Sequence, residues 1–97
     1  MTSGPNRSLV PEDTITAELA QLALWTRVSN QIRKTYAFQD FVHTMSFVNS
    51  VALLAERLNH HPDIEIRWNS VTLTLSTHSA GGLTALDFEL ARAIDAL

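Results

Sequence analysis

The segment Glu56-Arg57-Leu58-Asn59-His60-His61-Pro62 separates two patterns of apolar residues and decides how the chain folds. Before it, apolar residues recur at intervals of three and four from Phe41 to Leu58, which is typical of an amphipathic α-helix of about five turns. Pro62 is expected to end this helix, because proline disfavours the helical region for the residue before it. After Pro62, apolar and polar residues alternate, as in strands that are buried on one face.

The alternation after Pro62 predicts a β-hairpin. Two apolar sets flank Asn69-Ser70, namely Ile64, Ile66 and Trp68 before it and Val71, Leu73 and Leu75 after it. A two-residue turn at Asn69-Ser70 would pair Trp68 with Val71 and place both sets on one face of the sheet. We therefore expect Trp68 to lie in the hydrophobic core.

The N-terminal half of the chain predicts one helix and a first hairpin. Residues 1–12 contain Gly, Pro and Ser without periodicity, so we expect a flexible lead-in to a single domain over residues 13–97. Asp13, Thr14 and Thr16 offer N-cap oxygens for a short helix through residues 17–23. Residues 25–28 and 32–38 then predict two strands joined by a turn.

The C-terminal residues predict a third helix. Gly81-Gly82 ends the last strand, and Thr84 with Asp87 three positions later resembles a capping box that starts a helix at about Ala85. The resulting order, α-β-β-α-β-β-α, predicts an α+β fold. We expect a four-stranded antiparallel sheet with three helices packed on one face.

Composition excludes several classes of function. The net charge is −3 and the seven basic residues form no cluster, which argues against nucleic-acid binding. The absence of cysteine excludes disulfides and thiolate metal sites. No apolar run is long enough to span a membrane, and the N-terminus lacks the layout of a signal peptide, so we expect a cytoplasmic protein.

Three of the four histidines lie within residues 56–62 or follow them in the next hairpin and its exit: His60, His61 and His78. Imidazole gives and takes protons near neutral pH, so the cluster favours proton-transfer chemistry. Glu56 lies one turn before His60, where it could orient or charge that ring. Taken singly, each residue has a simpler interpretation: His60 as a helix cap, His61 as a turn residue, His78 as a loop residue and Asp87 as a helix cap.

The joint spacing of these residues resembles the pterin-4a-carbinolamine dehydratase family. That family's motif combines an acidic or polar residue, His-His-Pro, an aromatic residue, a second histidine or tryptophan, and Asp. The matching positions here are Glu56, His60-His61-Pro62, Trp68, His78 and Asp87. The similarity covers about residues 16–97. It implies the same fold and the dehydration of a 4a-hydroxytetrahydropterin to the quinonoid dihydropterin, in support of tetrahydropterin recycling and without a cofactor.

The resemblance also implies roles for individual residues. His60, His61 and His78 would be the catalytic histidines, with His60 and His78 as the acid–base pair and His61 holding the pterin. Five residues would bind substrate: Glu56, Asn59, Ser76, Thr77 and Ser79. The last three would line the polar edge of the pterin, partly through backbone groups as in an edge strand. Asn59 stands where animal members have Asp, and an amide attracts a protonated His60 less than a carboxylate does.

Two other functional hypotheses remain open from the sequence. The first is a non-catalytic, protein-binding module of the same fold, of the coactivator or assembly type; loss of a histidine would indicate it, and all three are present. The second is a metal site built from Glu56 and the three histidines, which we favour less because adjacent histidines diverge and no H-E-x-x-H motif occurs. The resemblance further implies a homo-oligomer, a dimer or tetramer built through the long helices, with Phe47 and Leu54 as apolar residues that flank the main stripe.

Overall fold

The computed structural model describes residues 7–97 and shows three helices and a four-stranded antiparallel sheet. The helices are α1 (Glu12–Ala20), α2 (Phe41–Leu58) and α3 (Ala85–Asp95). The strands are β1 (Thr26–Val28), β2 (Gln31–Ala37), β3 (Asp63–Arg67) and β4 (Ser70–Leu75), arranged β1-β2-β4-β3 across the sheet. The predicted α+β fold and its element order are confirmed. Within the described residues, no helix is both long and apolar enough to cross a membrane.

The hydrophobic core forms between the sheet and the helices α2 and α3. Strand β4 lies in the interior of the sheet, and every second side chain along it, from Val71 to Leu75, is fully buried. Val51 of α2 and Phe88 of α3 belong to the same buried cluster. Each such side chain contributes roughly 1.5–3 kcal/mol relative to exposure to water. The period of two in β4 therefore fixes which face of the sheet the helices cover.

Both hairpins have two-residue turns, and the second one corrects the predicted strand register. Arg67 pairs with Ser70 and Ile66 with Val71, so the turn is Trp68-Asn69. Trp68 has a φ of 47° and its side chain is 69 % exposed, so the prediction that Trp68 lies in the core is wrong. The observed and predicted pairings of β3 with β4 differ by two residues, and a shift of two keeps each strand residue on the same face of the sheet. The alternation of apolar and polar residues therefore could not distinguish the two registers.

Helix α1 begins five residues earlier than predicted. Pro11 is the N-cap and Glu12 the first helical residue, so the three candidate caps Asp13, Thr14 and Thr16 lie inside the helix. Thr16 instead donates a hydrogen bond to the carbonyl oxygen of Glu12. Proline is compatible with a helix start because it lacks a backbone N–H, and acidic residues in the first turn interact favourably with the helix dipole.

Part of the predicted lead-in packs against the domain. Leu9 forms an isolated β-bridge with Thr84, and the backbone N–H of Val10 donates to the carbonyl oxygen of Leu83 at 3.1 Å. These two contacts place residues 9 and 10 beside the start of α3. Residues 1–6 of the predicted lead-in lie outside the described residues.

The long helix α2 buries one face and exposes apolar residues on the other. The ring centroid of Phe47 lies 4.7 Å from that of Tyr36, and Leu54 is only 8 % exposed. Leu54 therefore belongs to the core and Phe47 packs against it, so these two residues expose little apolar surface for self-association. The large apolar residues that α2 exposes are Phe41, 50 % accessible, and Val42 and Leu53, each 74 % accessible.

The carboxylate of Asp95 joins the end of α3 to the first hairpin. It accepts hydrogen bonds from the indole N–H of Trp25 at 3.0 Å, the ammonium of Lys34 at 2.8 Å and the hydroxyl of Tyr36 at 2.5 Å. Burial raises the pKa of Asp95, but the hydrogen bonds from Lys34, Tyr36 and Trp25 outweigh it and hold the pKa below its ordinary value. The contact therefore depends on the ionised carboxylate.

We expect Asp95→Asn to lower the free energy of unfolding at pH 7 by about 1–3 kcal/mol, because hydrogen bonds to a charged acceptor are the stronger ones. A carboxyl group whose pKa falls on folding stabilises the fold above its unfolded pKa, about 3.9, and loses this effect as the pH falls through the folded pKa. The difference between wild type and variant should therefore shrink below about pH 4. Urea unfolding followed by circular dichroism measures it.

Asp63→Asn is the matched control, since Asp63 is exposed on β3 and we expect little change in its unfolding free energy. An Asp95→Asn difference that stays the same at pH 7 and in acid would contradict the assignment of a charged acceptor.

Candidate active site

A pocket of about 250 Å³ opens where α2 ends and where the chain leaves β4. Its lining residues are Arg7, Asn59, His60, His61, Ser76, Thr77, His78 and Ser79. The pocket thus brings together the three predicted catalytic histidines and all predicted substrate-binding residues except Glu56. A wider surface depression beside α1, lined by residues 13–21, contains no histidine. The smaller pocket is therefore the candidate active site, because it contains the three histidines.

The end of α2 determines where the two adjacent histidines point. Asn59 adopts a left-handed conformation with a φ of 50°, its backbone N–H donates to the carbonyl oxygen of Glu56, and that of His60 donates to the carbonyl oxygen of Ala55. This pair of bonds is a Schellman motif, in which Asn is the commonest residue after Gly. The helix therefore ends at Leu58, before His60 and four residues before the predicted stop at Pro62. The reversal buries His60, which is 6 % exposed.

His60 joins a buried polar network centred on Asp87. His60 Nε2 lies 2.5 Å from Asp87 Oδ1, and the other carboxylate oxygen accepts from the Thr77 hydroxyl at 2.8 Å and the Thr84 backbone N–H at 2.9 Å. The Thr77 and Thr84 hydroxyls are also hydrogen-bonded to each other. Asp87 and Thr84 form the predicted capping box of α3, which is confirmed. The contact between Asp87 and His60 was not predicted, although both belong to the family motif.

This network fixes the proton on the His60 ring. An ionised carboxylate only accepts hydrogen bonds, so Nε2 of His60 is the nitrogen that donates to Asp87. In the neutral ring the other nitrogen, Nδ1, then carries the lone pair and can act as a base. A buried carboxylate is tolerated here because it receives three hydrogen bonds at the N-terminus of a helix. The arrangement suits a histidine that accepts a proton and passes it on.

Glu56 contacts His61 and not His60. Glu56 Oε2 lies 2.6 Å from His61 Nε2, and the side chains of His61 and Glu56 are 57 % and 77 % exposed. The prediction that Glu56 orients His60 is therefore wrong. The one-turn spacing applies only within a continuous helix, and α2 ends before His60. Such an exposed pair contributes about 0–1 kcal/mol to stability.

His78 reaches the pocket from a turn and not from a strand. Strand β4 ends at Leu75, and His78–Ala80 form a single 3₁₀ turn that ends at Gly81, whose φ is 77°. The alternation of β4 therefore does not extend to His78, and β4 is an interior strand, not the edge strand expected for Ser76, Thr77 and Ser79. The backbone of Thr77 pairs with Gly82 and its hydroxyl points into the Asp87 network, so neither is free to bind a ligand. His78, Ser76 and Ser79 remain as the side chains on this wall.

Arg7 completes the pocket and was missed from the sequence. Its guanidinium Nη2 donates to the backbone carbonyl of Asn59 at 2.7 Å, across 52 positions of the chain. Arg7 falls in a segment without periodicity, and its place depends on the backbone contacts of Leu9 and Val10 with the start of α3. No local pattern signals such a contact. In residues 7–97, no group of three or more His, Asp or Glu side chains is arranged to hold a metal ion.

Comparisons with known proteins agree on one family. Residues 8–97 match the family model described as pterin 4 alpha carbinolamine dehydratase. A protein of Roseiflexus castenholzii, provisionally named pterin-4-alpha-carbinolamine dehydratase, is 52 % identical over 91 % of this chain and 95 % of its own length. A protein of Nocardia farcinica with the same provisional name is 49 % identical over 92 % of this chain and 94 % of its own.

Two solved structures share the fold. One, a transcriptional coactivator/pterin dehydratase from Brucella melitensis, is 36 % identical and superposes with a TM-score of 0.86 over 90 % of this chain and 95 % of that chain. The other is a pterin dehydratase-like protein identified as a RuBisCO assembly factor in the alpha-carboxysome. It is 25 % identical, with a TM-score of 0.61 over 74 % of this chain and 83 % of that chain.

We expect Thr77→Val to lower the free energy of unfolding by about 1–3 kcal/mol, because it removes a buried hydroxyl that donates to Asp87 without changing the side-chain volume. Thr72→Val in β4 is the matched control, since the hydroxyl of Thr72 pairs with that of Thr35 in a solvent-exposed contact. Its effect should stay within about 0.5 kcal/mol. Urea unfolding of both variants measures the difference, and equal losses would show that the buried network has no special stabilising role.

Proposed function

Since this chain belongs to the pterin-4-alpha-carbinolamine dehydratase family, we propose that it dehydrates a 4a-hydroxytetrahydropterin to the quinonoid dihydropterin by histidine acid–base catalysis. The reaction is that of a hydro-lyase and would serve the recycling of a tetrahydropterin. One observation carries the proposal: His60, His61 and His78 line one pocket, and His60 is hydrogen-bonded to the buried carboxylate of Asp87.

The chemistry requires one proton to be delivered and one to be removed. The C4a–O bond breaks as the hydroxyl takes a proton and leaves as water, and the ring nitrogen N5 loses its proton. In our proposal, Nδ1 of His60 takes the N5 proton, and the resulting imidazolium faces Asp87. The more exposed His78 gives its proton to the departing hydroxyl. Acid–base catalysis of this kind contributes about 10²–10⁴-fold to a rate.

The other lining residues are proposed to hold the pterin. His61, hydrogen-bonded to Glu56, would contact the bicycle at the open side of the pocket. The hydroxyls of Ser76 and Ser79 would bond to its polar edge. Thr77 would act through Asp87 and not on the substrate, because its hydroxyl is engaged in the buried network. The side chain of Asn59 stays a proposed substrate contact, whereas its carbonyl is occupied by Arg7.

We expect His78→Ala and His60→Gln each to slow 4a-hydroxytetrahydropterin dehydration by about 10²–10⁴-fold, since each removes one of the two proton-transfer groups. His43→Ala is the control, because His43 lies at the start of α2, bonded to Asp40, and outside the pocket. The rate of formation of the quinonoid product measures the effect. Circular dichroism verifies folding, and the exposed His78 is the variant least able to disturb the fold.

A folded, pure wild type that does not accelerate the dehydration would overturn the enzymatic proposal. It would favour the alternative, a protein-binding module of the same fold, as named for the coactivator and assembly-factor structures. Unchanged rates in both histidine variants of an active wild type would overturn the residue assignment alone.

We also propose that the chain self-associates through the outer face of α2, as a dimer or tetramer. Val42 and Leu53 on this face are each 74 % exposed, and a cavity lined by Ser50, Leu53, Leu54, Arg57 and Leu97 lies at the C-terminal end of the helix. Contiguous exposed apolar patches commonly mark protein–protein contacts. A cytoplasmic location stays a prediction from the sequence.

We expect Leu53→Glu to shift the molar mass in solution toward that of the monomer, because it places a charge in the proposed apolar contact. Light scattering after size exclusion measures this, with Gln21→Glu, an exposed residue at the end of α1 and away from α2, as a control for added charge. A monomeric wild type at micromolar concentration would contradict the proposal.

A further inference from the structure

The lining of the histidine pocket has an uneven charge distribution. It contains four basic side chains, Arg7 and the three histidines, and no carboxylate from residues 7–97. The whole chain, in contrast, carries a net charge of −3. The two carboxylates nearest in the network, Glu56 and Asp87, are bonded to His61 and His60 and do not line the cavity. A ligand in this pocket therefore meets positive or neutral groups.

Arg7 is the permanent charge in this set, and nothing in the described residues neutralises it. The guanidinium bonds to the carbonyl of Asn59, a neutral acceptor, and forms no ion pair with a carboxylate of residues 7–97. Three other arginines, Arg27, Arg67 and Arg92, each pair with a glutamate. Residues 1–6 contain no Asp or Glu.

The bond to Asn59 also positions Arg7 at the pocket. Only one of its five N–H donors is used by the carbonyl, so the remaining ones can bind an acceptor. The planar guanidinium matches a carboxylate or phosphate group with two parallel hydrogen bonds. Arg7 is thus held at one point and left able to recognise an anion.

We infer that Arg7 determines specificity by selecting pterins whose C6 side chain ends in an anionic group. This inference rests on the proposed function, because it places a pterin in the pocket. The pterin bicycle is uncharged near neutral pH, so a fixed cation can discriminate only through the side chain. The departure of the 4a-hydroxyl also leaves positive charge on the bicycle, which would be destabilised by a guanidinium close to C4a. Both considerations place Arg7 against the side chain.

The test compares the binding of two fluorescent pterins to the full chain, 6-carboxypterin and the neutral 6-hydroxymethylpterin. We expect the wild type to bind 6-carboxypterin about three- to tenfold more tightly, as for a partly exposed charge-assisted contact. Arg7→Gln should remove this preference and Arg7→Lys should keep part of it, because lysine retains the charge without the planar fork. Added salt should weaken the preference in the wild type.

Arg67→Gln is the matched control for the loss of one positive charge. Arg67 lies beside the second turn, separated from the pocket by the length of β4, roughly 20 Å at 3.3 Å per residue. It should leave the preference between the two pterins unchanged. Circular dichroism of each variant establishes that the fold is retained.

The outcomes separate this inference from the proposed function. Equal affinity of the wild type for both pterins, with dehydration of a neutral substrate intact, overturns the role of Arg7 alone. Equal weakening of both pterins by Arg7→Gln also overturns it, since Arg7 would then contact the shared bicycle. A folded wild type that binds neither pterin and shows no dehydration overturns the inference together with the proposed function.

Discussion

The hydrogen bond between His60 and Asp87 is the interaction on which the rest of the structure depends. It connects the residue that follows α2 to the first turn of α3. Through the second oxygen of Asp87 and the hydroxyl of Thr77, it also fixes the chain where it leaves β4. Three elements that are distant in sequence thus meet at one buried carboxylate. The pocket lies beside this junction because its walls are the segments that the carboxylate holds together.

The same carboxylate has a structural and a chemical consequence. Removing His60 takes one hydrogen-bond donor from a buried carboxylate, and leaving a buried polar group without its partner costs about 1–3 kcal/mol. This makes Asp87 and His60 difficult to replace for stability alone. The bond also determines which nitrogen of His60 carries the proton, and so which one can act as a base. The exposed pair of Glu56 and His61 has no comparable energetic weight, because water solvates both groups.

The N-terminal segment adds Arg7 to the walls of the pocket. Leu9 and Val10 attach it to the start of α3, and Arg7 then reaches the end of α2. The carbonyl that Arg7 contacts is available because Asn59, in its left-handed conformation, ends the helix there. A helix terminus with unpaired carbonyl groups thus provides the anchor for a basic side chain. Asn59 thus both ends α2 and accepts the hydrogen bond from the Arg7 guanidinium.

The sequence by itself determined the elements and their order, since hydrophobic periodicity, capping residues and turns are local properties. The helix from Phe41, the alternation along β4 and the capping box of Thr84 and Asp87 were all predictable on this basis, as was the set of three histidines. Only the tertiary structure decided which side chains meet. The observed register of the second hairpin differs by two residues from the predicted one, which places Trp68 in the exposed turn while the alternation along the strands is unchanged. Because α2 ends early, His60 contacts Asp87, and Glu56 contacts His61. Arg7 entered the pocket through a contact across 52 positions. Such pairings depend on distances in space that the spacing along a chain does not encode.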